Sequence, residues 1–322
     1  MKSFVLLPAR SLEEAAREAA RPETALKAGG VDLLDRMKEG LDSPRRVVSI
    51  ADVPGHDSIE LGPPARLGAL ATLARIAASA DLRRSYPALA DAAEGAATPQ
   101  IRNMATLGGN ICQRPRCWYY RLAEFDCRKK GGKECYALEG ENRFHAIFNT
   151  DVCCCIHPSA TATALLAYGA RFQTVSPKGR REIAIEDFFV APTEDPTREN
   201  ALSAGEIIQT VVLPGPPEGS RSVYKKLKEK ESFDWPLVET CVAMSLSGGT
   251  IRDARVVLGS VAPTPLRAKE AEALLNGARP GPVLAARAAE AAVRGATPLG
   301  QNAYKVRLAR VMLERTLADA FA

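Results

Sequence analysis

The sequence has no long hydrophobic run and no leader of a recognisable kind. No stretch approaches the ~20 apolar residues that a membrane-spanning helix needs. The apolar part of segment 1–8 is too short for a signal peptide, and no cleavage site follows it. We therefore predict a cytoplasmic protein without a membrane span, although a subunit of a complex can be exported on the signal of a partner.

Several common catalytic and binding motifs are also missing. The sequence contains no G-x-G-x-x-G, P-loop or H-E-x-x-H motif, and no Ser-His-Asp or paired-carboxylate arrangement. The net charge is +5, and the basic clusters at 128–130 and 224–228 are too sparse for a nucleic-acid-binding stripe. These absences leave a Rossmann dinucleotide site unsupported, and we expect no nucleic-acid partner.

The pattern of hydrophobic residues predicts three units in the 322 residues. Residues 1–57 alternate strands and helices, and Ser11 and Glu14 form a capping box. Residues 58–218 continue this mixed pattern and end in a Pro/Gly linker. In residues 219–322, Gly248-Gly249 marks a hairpin turn, and helices are predicted at 265–276, 282–294 and 301–320. We expect an α+β protein with two α/β subdomains, followed by an antiparallel sheet with helices on one face.

Two loops contain paired glycines, "KAGGVDLL" at 27–34 and "TLGGN" at 106–110. Paired glycines allow backbone N–H groups to approach a ligand closely, and such concave loops bind phosphates. Either pair alone is more often a plain turn. The occurrence of both, in this order, is more specific.

With its other motifs, the chain resembles the FAD-binding medium subunit of the molybdenum hydroxylases, the xanthine dehydrogenase and carbon monoxide dehydrogenase family. The matching stretches also include "LGALATLA" (67–74), "QIRNMATLGGNI", "HPS" before a helix, and "YKKLKEKESFDWPLVE". The resemblance covers essentially the whole chain. It implies two subdomains of the vanillyl-alcohol-oxidase-like type that enclose FAD, and a C-terminal domain like that of the carbon monoxide dehydrogenase flavoprotein.

The resemblance also implies which residues bind FAD. The two glycine loops would hold the pyrophosphate mainly through backbone amides, and Asp32 would contact a cofactor hydroxyl. Ile208 would pack near the flavin, although a core position in a strand is an equally good interpretation. Lys226 would offer a cation to the cofactor, although it is equally well explained as a solvated lysine. The implied residues are Lys27, Ala28, Gly29, Gly30, Val31, Asp32, Leu33, Leu34, Thr106, Leu107, Gly108, Gly109, Asn110, Ile208 and Lys226.

One residue departs from the family pattern. The family often has "HPSD" where this chain has His157-Pro158-Ser159-Ala160, and the Asp would usually contact FAD. Ala160 cannot form a side-chain hydrogen bond. One cofactor contact is therefore lost or supplied elsewhere, and Ser159 and Thr163 are the candidates nearby in sequence.

Cysteine is concentrated in one segment. Seven of the eight cysteines lie between Cys112 and Cys155, and only Cys241 lies outside. In a large intracellular chain such clustering favours a metal site over disulfides. The segment is also an insertion at about 111–155, in which most of the family has only a short connection. A metal centre would explain why so long a loop is ordered.

The insertion resembles that of the flavin subunits of periplasmic-type aldehyde oxidoreductase and 4-hydroxybenzoyl-CoA reductase, which carry an extra [4Fe–4S] cluster. The resemblance assigns four thiolate ligands, and it assigns Cys154 and Cys155 to packing. Zinc is the competing metal, but C-x2–4-C knuckles are lacking apart from the Cys153–Cys155 pair. The histidines 145 and 157 are more often structural in such settings. The assigned ligands are Cys117, Cys127, Cys135 and Cys153.

The resemblance implies an electron-transfer subunit that contains FAD and a [4Fe–4S] cluster. Its partners would be a large molybdenum-cofactor subunit, a small subunit with two [2Fe–2S] clusters, and an external electron acceptor or donor. Substrate chemistry, on an aldehyde, a xanthine-like compound or an aromatic acyl-CoA, would occur in the large subunit. Two alternatives stay open: a stand-alone FAD-dependent oxidase with structural zinc or inert cysteines, and an assembly subunit whose cofactor sites have decayed.

Overall fold

The computed structural model describes residues 1–230 and 232–322, and three separate sheets organise them. The first sheet is parallel, in the order β1-β3-β2. Ser11 caps the first helix as predicted, because its hydroxyl accepts a hydrogen bond from the Glu14 N–H at 3.1 Å. The elements of this unit are β1 (Val5–Pro8), α1 (Leu12–Ala19), β2 (Thr24–Lys27), α2 (Val31–Lys38) and β3 (Arg46–Ser49).

The second sheet is antiparallel and has five strands in the order β4-β5-β8-β6-β7. Its strands are β4 (Ile59–Glu60), β5 (Ala65–Gly68), β6 (Arg171–Ser176), β7 (Gly179–Ala184) and β8 (Ile207–Leu213). Its helices are α3 (Leu73–Ala78), α4 (Ala80–Ser85), α5 (Pro87–Glu94), α6 (Pro99–Met104), α7 (Leu107–Ile111) and α9 (Ala160–Tyr168), with a 3-10 turn at Ile185–Asp187. A shared hydrophobic core joins these helices to the sheet.

The third sheet is an antiparallel meander in the order β12-β11-β10-β9, with three helices against it. Gly248 and Gly249 make the predicted hairpin turn, with φ of +58° and +73°. Such values favour glycine and suit a two-residue hairpin loop. The elements are β9 (Ser220–Leu227), β10 (Val238–Ser247), β11 (Thr250–Gly259), β12 (Leu266–Arg267), α10 (Lys269–Leu275), α11 (Pro282–Val293) and α12 (Tyr304–Phe321).

The structure confirms the predicted fold class and differs in local detail. The segment that contains "TLGGN" is a pair of short helices, α6 and α7, where the sequence indicated only a glycine turn. Thr98 and Thr106 cap these helices with their side-chain hydroxyls, and this capping allows glycines to begin a helical turn. In the described residues, no helix combines the length and the hydropathy of a membrane span.

The insertion is mostly irregular and is fixed to the C-terminal unit. It contains the short helix α8 (Trp118–Arg121) and a 3-10 turn at Arg128–Lys130. Ile147 and Phe148 join the C-terminal core, and their N–H groups both donate to the Val261 carbonyl. The insertion is therefore held by tertiary contacts, since it has little regular structure of its own.

A buried lysine makes the firmest polar contact between the insertion and the last helix. The Lys305 ammonium group, in α12, donates to the carbonyls of Phe144, His145 and Ser260 at 3.3, 2.9 and 2.8 Å. Its side chain is fully buried. Three carbonyls thus share this donor group, and the His145 carbonyl also accepts from the Asn302 Nδ2 at 3.2 Å.

We expect Lys305→Met to destabilise the fold by about 3 kcal/mol, because buried carbonyls would lose their donor while the volume is retained. Urea unfolding of the purified chain measures this loss. Arg307→Met, two residues further along the same helix and exposed, is the matched control and should change stability by less than ~0.5 kcal/mol. Equal effects of the two substitutions would contradict the proposed anchoring.

Candidate functional site

A cavity of about 610 Å³ opens where the three units meet. The first unit contributes the 26–36 segment, the second contributes α6 and α7, and the third contributes Lys226 and the 233–239 segment. Of the predicted site residues, the wall includes Lys27, Ala28, Gly29, Gly30, Val31, Asp32, Leu33, Thr106, Gly109, Asn110 and Lys226. The structure therefore brings both glycine loops to one cavity.

The first glycine loop presents unpaired backbone donors. Gly30 has a φ of +78° and precedes α2, so the chain turns sharply into the helix. Within the described residues, the loop leaves four N–H groups without a hydrogen-bond acceptor, those of Gly29, Gly30, Val31 and Asp32. Free N–H groups at a helix N-terminus form a typical anion-binding site. This loop suits a phosphate group.

The second glycine loop differs from its prediction. The N–H groups of Leu107 and Gly108 donate to the carbonyls of Ala71 and Ala69, both at 2.9 Å. The N–H groups of Gly109 and Asn110 donate to Thr106. The amides of this loop are thus used within the protein, so it does not offer them to a ligand. Leu107 and Gly108 lie behind the cavity wall, packed on the "LGALATLA" segment.

Asn110 is the polar group that the second loop does present to the cavity. Its Oδ1 accepts hydrogen bonds from the hydroxyls of Ser159 and Thr161, at 2.7 and 2.6 Å. This arrangement leaves the Asn110 Nδ2 group as a donor toward a ligand. Ser159, predicted to touch the cofactor, is instead buried and orients Asn110.

Three other predicted residues also lie off the wall. Leu34 packs in the core of the first unit, and Ile208 is 5% exposed in the core of the second. The Thr163 hydroxyl donates to Glu239 at 3.2 Å. Ile208 therefore has the core position that was the alternative interpretation, and Thr163 contacts another residue of the site.

Asp32 has a different role from the one predicted. Its carboxylate forms ion pairs with three guanidinium groups, those of Arg36, Arg116 and Arg121, and accepts from the Arg114 N–H at 3.1 Å. Two of the three arginines and residue 114 belong to the insertion. The carboxylate is therefore occupied by protein cations and joins the first unit to the insertion. A cofactor hydroxyl is not needed to satisfy it.

Two features of the wall are not among the residues that the sequence predicted to bind the cofactor. Phe233 and Trp235 lie at the mouth, 61% and 49% exposed, and the Arg116 guanidinium lies 5.0 Å from the Trp235 ring. Glu239 lies deeper, 1% exposed, and burial raises the pKa of its carboxyl group. The sequence of β10 could have indicated Glu239, because it is the one charged residue in a strand that is mostly buried.

A second, much smaller cavity lies in the insertion, and five thiols line it. The predicted ligands Cys117, Cys127, Cys135 and Cys153 are all among them. The fifth is Cys155, which the sequence analysis assigned to packing. Cys154 does not line this cavity, but its Sγ lies 3.6 Å from the Cys135 Sγ, and its side chain packs with Ala137 and Ala146. All three cysteines of the 153–155 run therefore lie at or beside the thiol group.

The thiol-lined cavity is tightly closed in this structure. Its volume is only about 10 Å³, and within the described residues no three His, Cys, Asp or Glu side chains form a group that could hold a metal ion. The His145 Nε2 lies 3.2 Å from the Cys117 Sγ. Burial lowers the pKa of His145 to about 4 and that of His157 to about 3, so both rings are neutral at neutral pH.

A buried cation lies beside the thiols. The Lys129 side chain, 4% exposed, lines the small cavity, and its Nζ lies 2.8 Å from the Glu199 carboxylate. Glu199 also pairs with Arg114 at 2.9 Å, and Arg114 is the residue whose N–H reaches Asp32. A chain of charged groups therefore connects the walls of the two cavities.

Comparison with protein families gives two matches that together cover nearly the whole chain. Residues 2–216 match the FAD binding domain in molybdopterin dehydrogenase. Residues 222–320 match the CO dehydrogenase flavoprotein C-terminal domain. The boundary between the matches lies at the Pro/Gly segment that precedes β9.

Individual relatives agree with this result. The chain is 35% identical to the aldehyde oxidoreductase FAD-binding subunit PaoB of Escherichia coli (strain K12), over 100% of this chain and 99% of that protein. It is 28% identical to the carbon monoxide dehydrogenase medium chain of Hydrogenophaga pseudoflava, over 93% and 90%. A solved structure of carbon monoxide dehydrogenase from that organism, which lacks the Mo-pyranopterin moiety, superposes with a TM-score of 0.79 at 27% identity and covers 99% of this chain and 98% of that one.

We expect Gly29→Ala to disrupt the cavity, because a Cβ atom there would lie 1.8 Å from the Met104 carbonyl oxygen. The first glycine loop would have to move away from α6, which should lower stability by about 1–3 kcal/mol and weaken FAD binding. Thermal unfolding and flavin fluorescence measure the two effects. Gly295→Ala, which meets no atom within 4 Å, is the control and should leave both unchanged. Normal FAD affinity in Gly29→Ala would contradict the close approach of the two segments.

Proposed function

The chain belongs to the family of FAD-binding medium subunits of the molybdenum hydroxylases, and on that basis we propose that it is the electron-transfer flavoprotein subunit of such an enzyme. The observation that carries the proposal is the 610 Å³ cavity between the three units, which has free amides on one wall and the buried Glu239 with the half-buried Lys226 on another. Its size and polar groups suit a flavin dinucleotide.

In this proposal the chain's own residues bind and orient the cofactor. The N–H groups of Gly29 to Asp32 receive the pyrophosphate, the Asn110 Nδ2 donates to a polar group, and Lys226 adds a positive charge. Trp235 and Phe233 shield the mouth from water. When bound, FAD and an iron–sulfur cluster would supply one- and two-electron exchange, and the protein would supply position and electrostatic environment. No side chain is required as a general acid or base.

We also propose that the thiol-lined cavity holds a [4Fe–4S] cluster through Cys117, Cys127, Cys135 and Cys153. The convergence of these four thiols, from separate parts of the insertion, supports this assignment, as does the buried positive charge of Lys129, which would offset thiolate charge. The closed cavity is smaller than a cluster. The proposal therefore requires that the thiols move apart when the cluster is inserted.

The proposed partners are a large molybdenum-cofactor subunit and a small [2Fe–2S] subunit. Electrons would pass between their centres, this chain and an external acceptor or donor. The 35% identity to an aldehyde oxidoreductase subunit favours an aldehyde as the substrate of the assembled enzyme. Oxidation of the substrate would take place in the large subunit. Coexpression with candidate partners and assay against aldehydes and purines tests this assignment.

Cofactor analysis of the chain, purified with and without candidate partners, tests the two proposed sites. We expect one FAD and about four iron and four sulfide per chain. Zinc without iron would overturn the cluster assignment and favour a structural metal. Absence of flavin from the wild-type chain would overturn the FAD assignment.

Serine substitutions in the 153–155 run test the ligand register. We expect Cys153→Ser to lose most of the iron and the cluster absorbance, because serine is a poor substitute for a thiolate ligand. Cys154→Ser is the matched control, since that thiol does not line the cavity although its Sγ lies 3.6 Å from the Cys135 Sγ, and it should retain both. Loss of iron in Cys155→Ser with retention in Cys153→Ser would move the fourth ligand to Cys155.

A further inference from the structure

Ala160 leaves a specific gap in the proposed FAD site. It is the first residue of α9 and lines the large cavity, where the family pattern often has a carboxylate. The two neighbours that could have replaced this contact do not face the cavity. Ser159 orients Asn110, and Thr163 donates to Glu239.

Glu239 brings a carboxyl group to the same part of the wall from a different strand. It lies on β10, lines the cavity, and is 1% exposed. Its Oε2 accepts from the Thr163 hydroxyl at 3.2 Å, and Thr163 lies one helical turn after Ala160. A Cβ atom on Gly259 would lie 2.4 Å from both the Glu239 Oε2 and the Thr163 Oγ1. The glycine at 259 therefore leaves the space that this pair occupies.

The Glu239 carboxyl group is held by the protein and still has capacity for a ligand. The Tyr224 hydroxyl donates to Oε1 at 2.7 Å, and the Thr163 hydroxyl donates to Oε2. A carboxylate has about four lone-pair positions, so two remain after these bonds. Lys226, on the same wall, adds a favourable charge interaction.

The other acidic residues on the wall are less suitable. Asp32 is occupied by arginines, and Asp35 pairs with Arg121 at 3.3 Å. Asp234 lies in the mouth segment beside the exposed Trp235, and within the described residues no hydrogen bond or ion pair joins its side chain to α9. Among the described acidic residues of the wall, Glu239 is the one tied to the helix that begins at Ala160.

We infer that Glu239 supplies, from β10, the carboxyl contact to FAD that the family pattern places at position 160. The group would accept a hydrogen bond from a hydroxyl or ring N–H of the cofactor. The inference deepens the proposed FAD-binding function and rests on it.

A rescue experiment tests this inference on the full chain after removal of flavin. We expect Glu239→Gln, which keeps the volume but removes the charge, to bind FAD about tenfold more weakly, the effect of losing a hydrogen bond to a charged group. Adding Ala160→Asp in the same chain should recover most of that loss, because it restores a carboxyl group at the position of the family pattern. Flavin fluorescence titration gives both dissociation constants.

Control variants separate this role from a structural one. Glu272→Gln changes another buried glutamate, which bonds to Arg267 and the Val256 N–H far from the cavity wall, and should leave FAD affinity unchanged. If Glu239→Gln does not fold, Tyr224→Phe removes one support of the carboxyl group and should weaken FAD binding by a few-fold. Thermal unfolding without FAD verifies that each variant is folded.

Three results would overturn the inference while leaving the proposed function intact. These are wild-type FAD affinity in folded Glu239→Gln, a loss that Ala160→Asp does not recover, or a tenfold loss in Asp234→Asn with none in Glu239→Gln. A wild-type chain that binds no FAD would instead overturn the proposed function itself, so the two failures are distinguishable.

Discussion

The ion-pair cluster around Asp32 is the interaction on which the arrangement of both cavities depends. Asp32 lies in the first turn of α2, directly after the loop with free amides, and it collects cations from the insertion. Arg121, the most buried of these cations, also pairs with Asp35 and Glu39 on the same helix. Removal of the central carboxylate would leave Arg116 without an acidic partner and would take one of several partners from Arg36 and Arg121. Loss of a shared partner destabilises such partly buried networks. The cluster therefore fixes α2 relative to the insertion.

The insertion is held at two opposite sides, and the thiols lie between them. On one side the arginines at 116 and 121 fasten it to α2. On the other, Lys305 and the residues around Ile147 fasten it to the C-terminal unit. A segment with so little regular structure cannot close its own core, so its order must come from these contacts. The same contacts connect the walls of the two cavities, which would suit electron transfer between the two proposed cofactors.

The sequence predicted the fold class, because hydrophobic periodicity is a local signal. Both glycine loops, which the resemblance to the family singled out, line the large cavity. The sequence predicted less well which backbone amides and carboxylates are free to contact a ligand. The amides after Thr106 and the carboxylate of Asp32 looked available for a ligand, and both are taken by protein partners. Which partner takes a polar group depends on segments distant in sequence, such as 69–71 and 114–121. No local pattern contains that information.

The run of three cysteines at 153–155 is a second case in which a local pattern does not decide which group contacts a ligand. Alternation along an extended chain predicts that Cys154 points away from its neighbours, and Cys154 is indeed absent from the cavity wall, but its Sγ still lies 3.6 Å from the Cys135 Sγ. Alternation cannot choose between Cys153 and Cys155, because both fall on the cavity face. The spacing implied by the resemblance to the family selects Cys153, whereas the structure places both thiols on the cavity wall. The backbone is tethered on both sides of the run. The Val152 carbonyl accepts from the Arg128 guanidinium at 3.0 Å, the Cys154 carbonyl accepts from the Ala146 N–H, and the His157 N–H donates to the Ala262 carbonyl. Neither sulfur is therefore freer to move than the other, and the choice of Cys153 rests on the resemblance to the family.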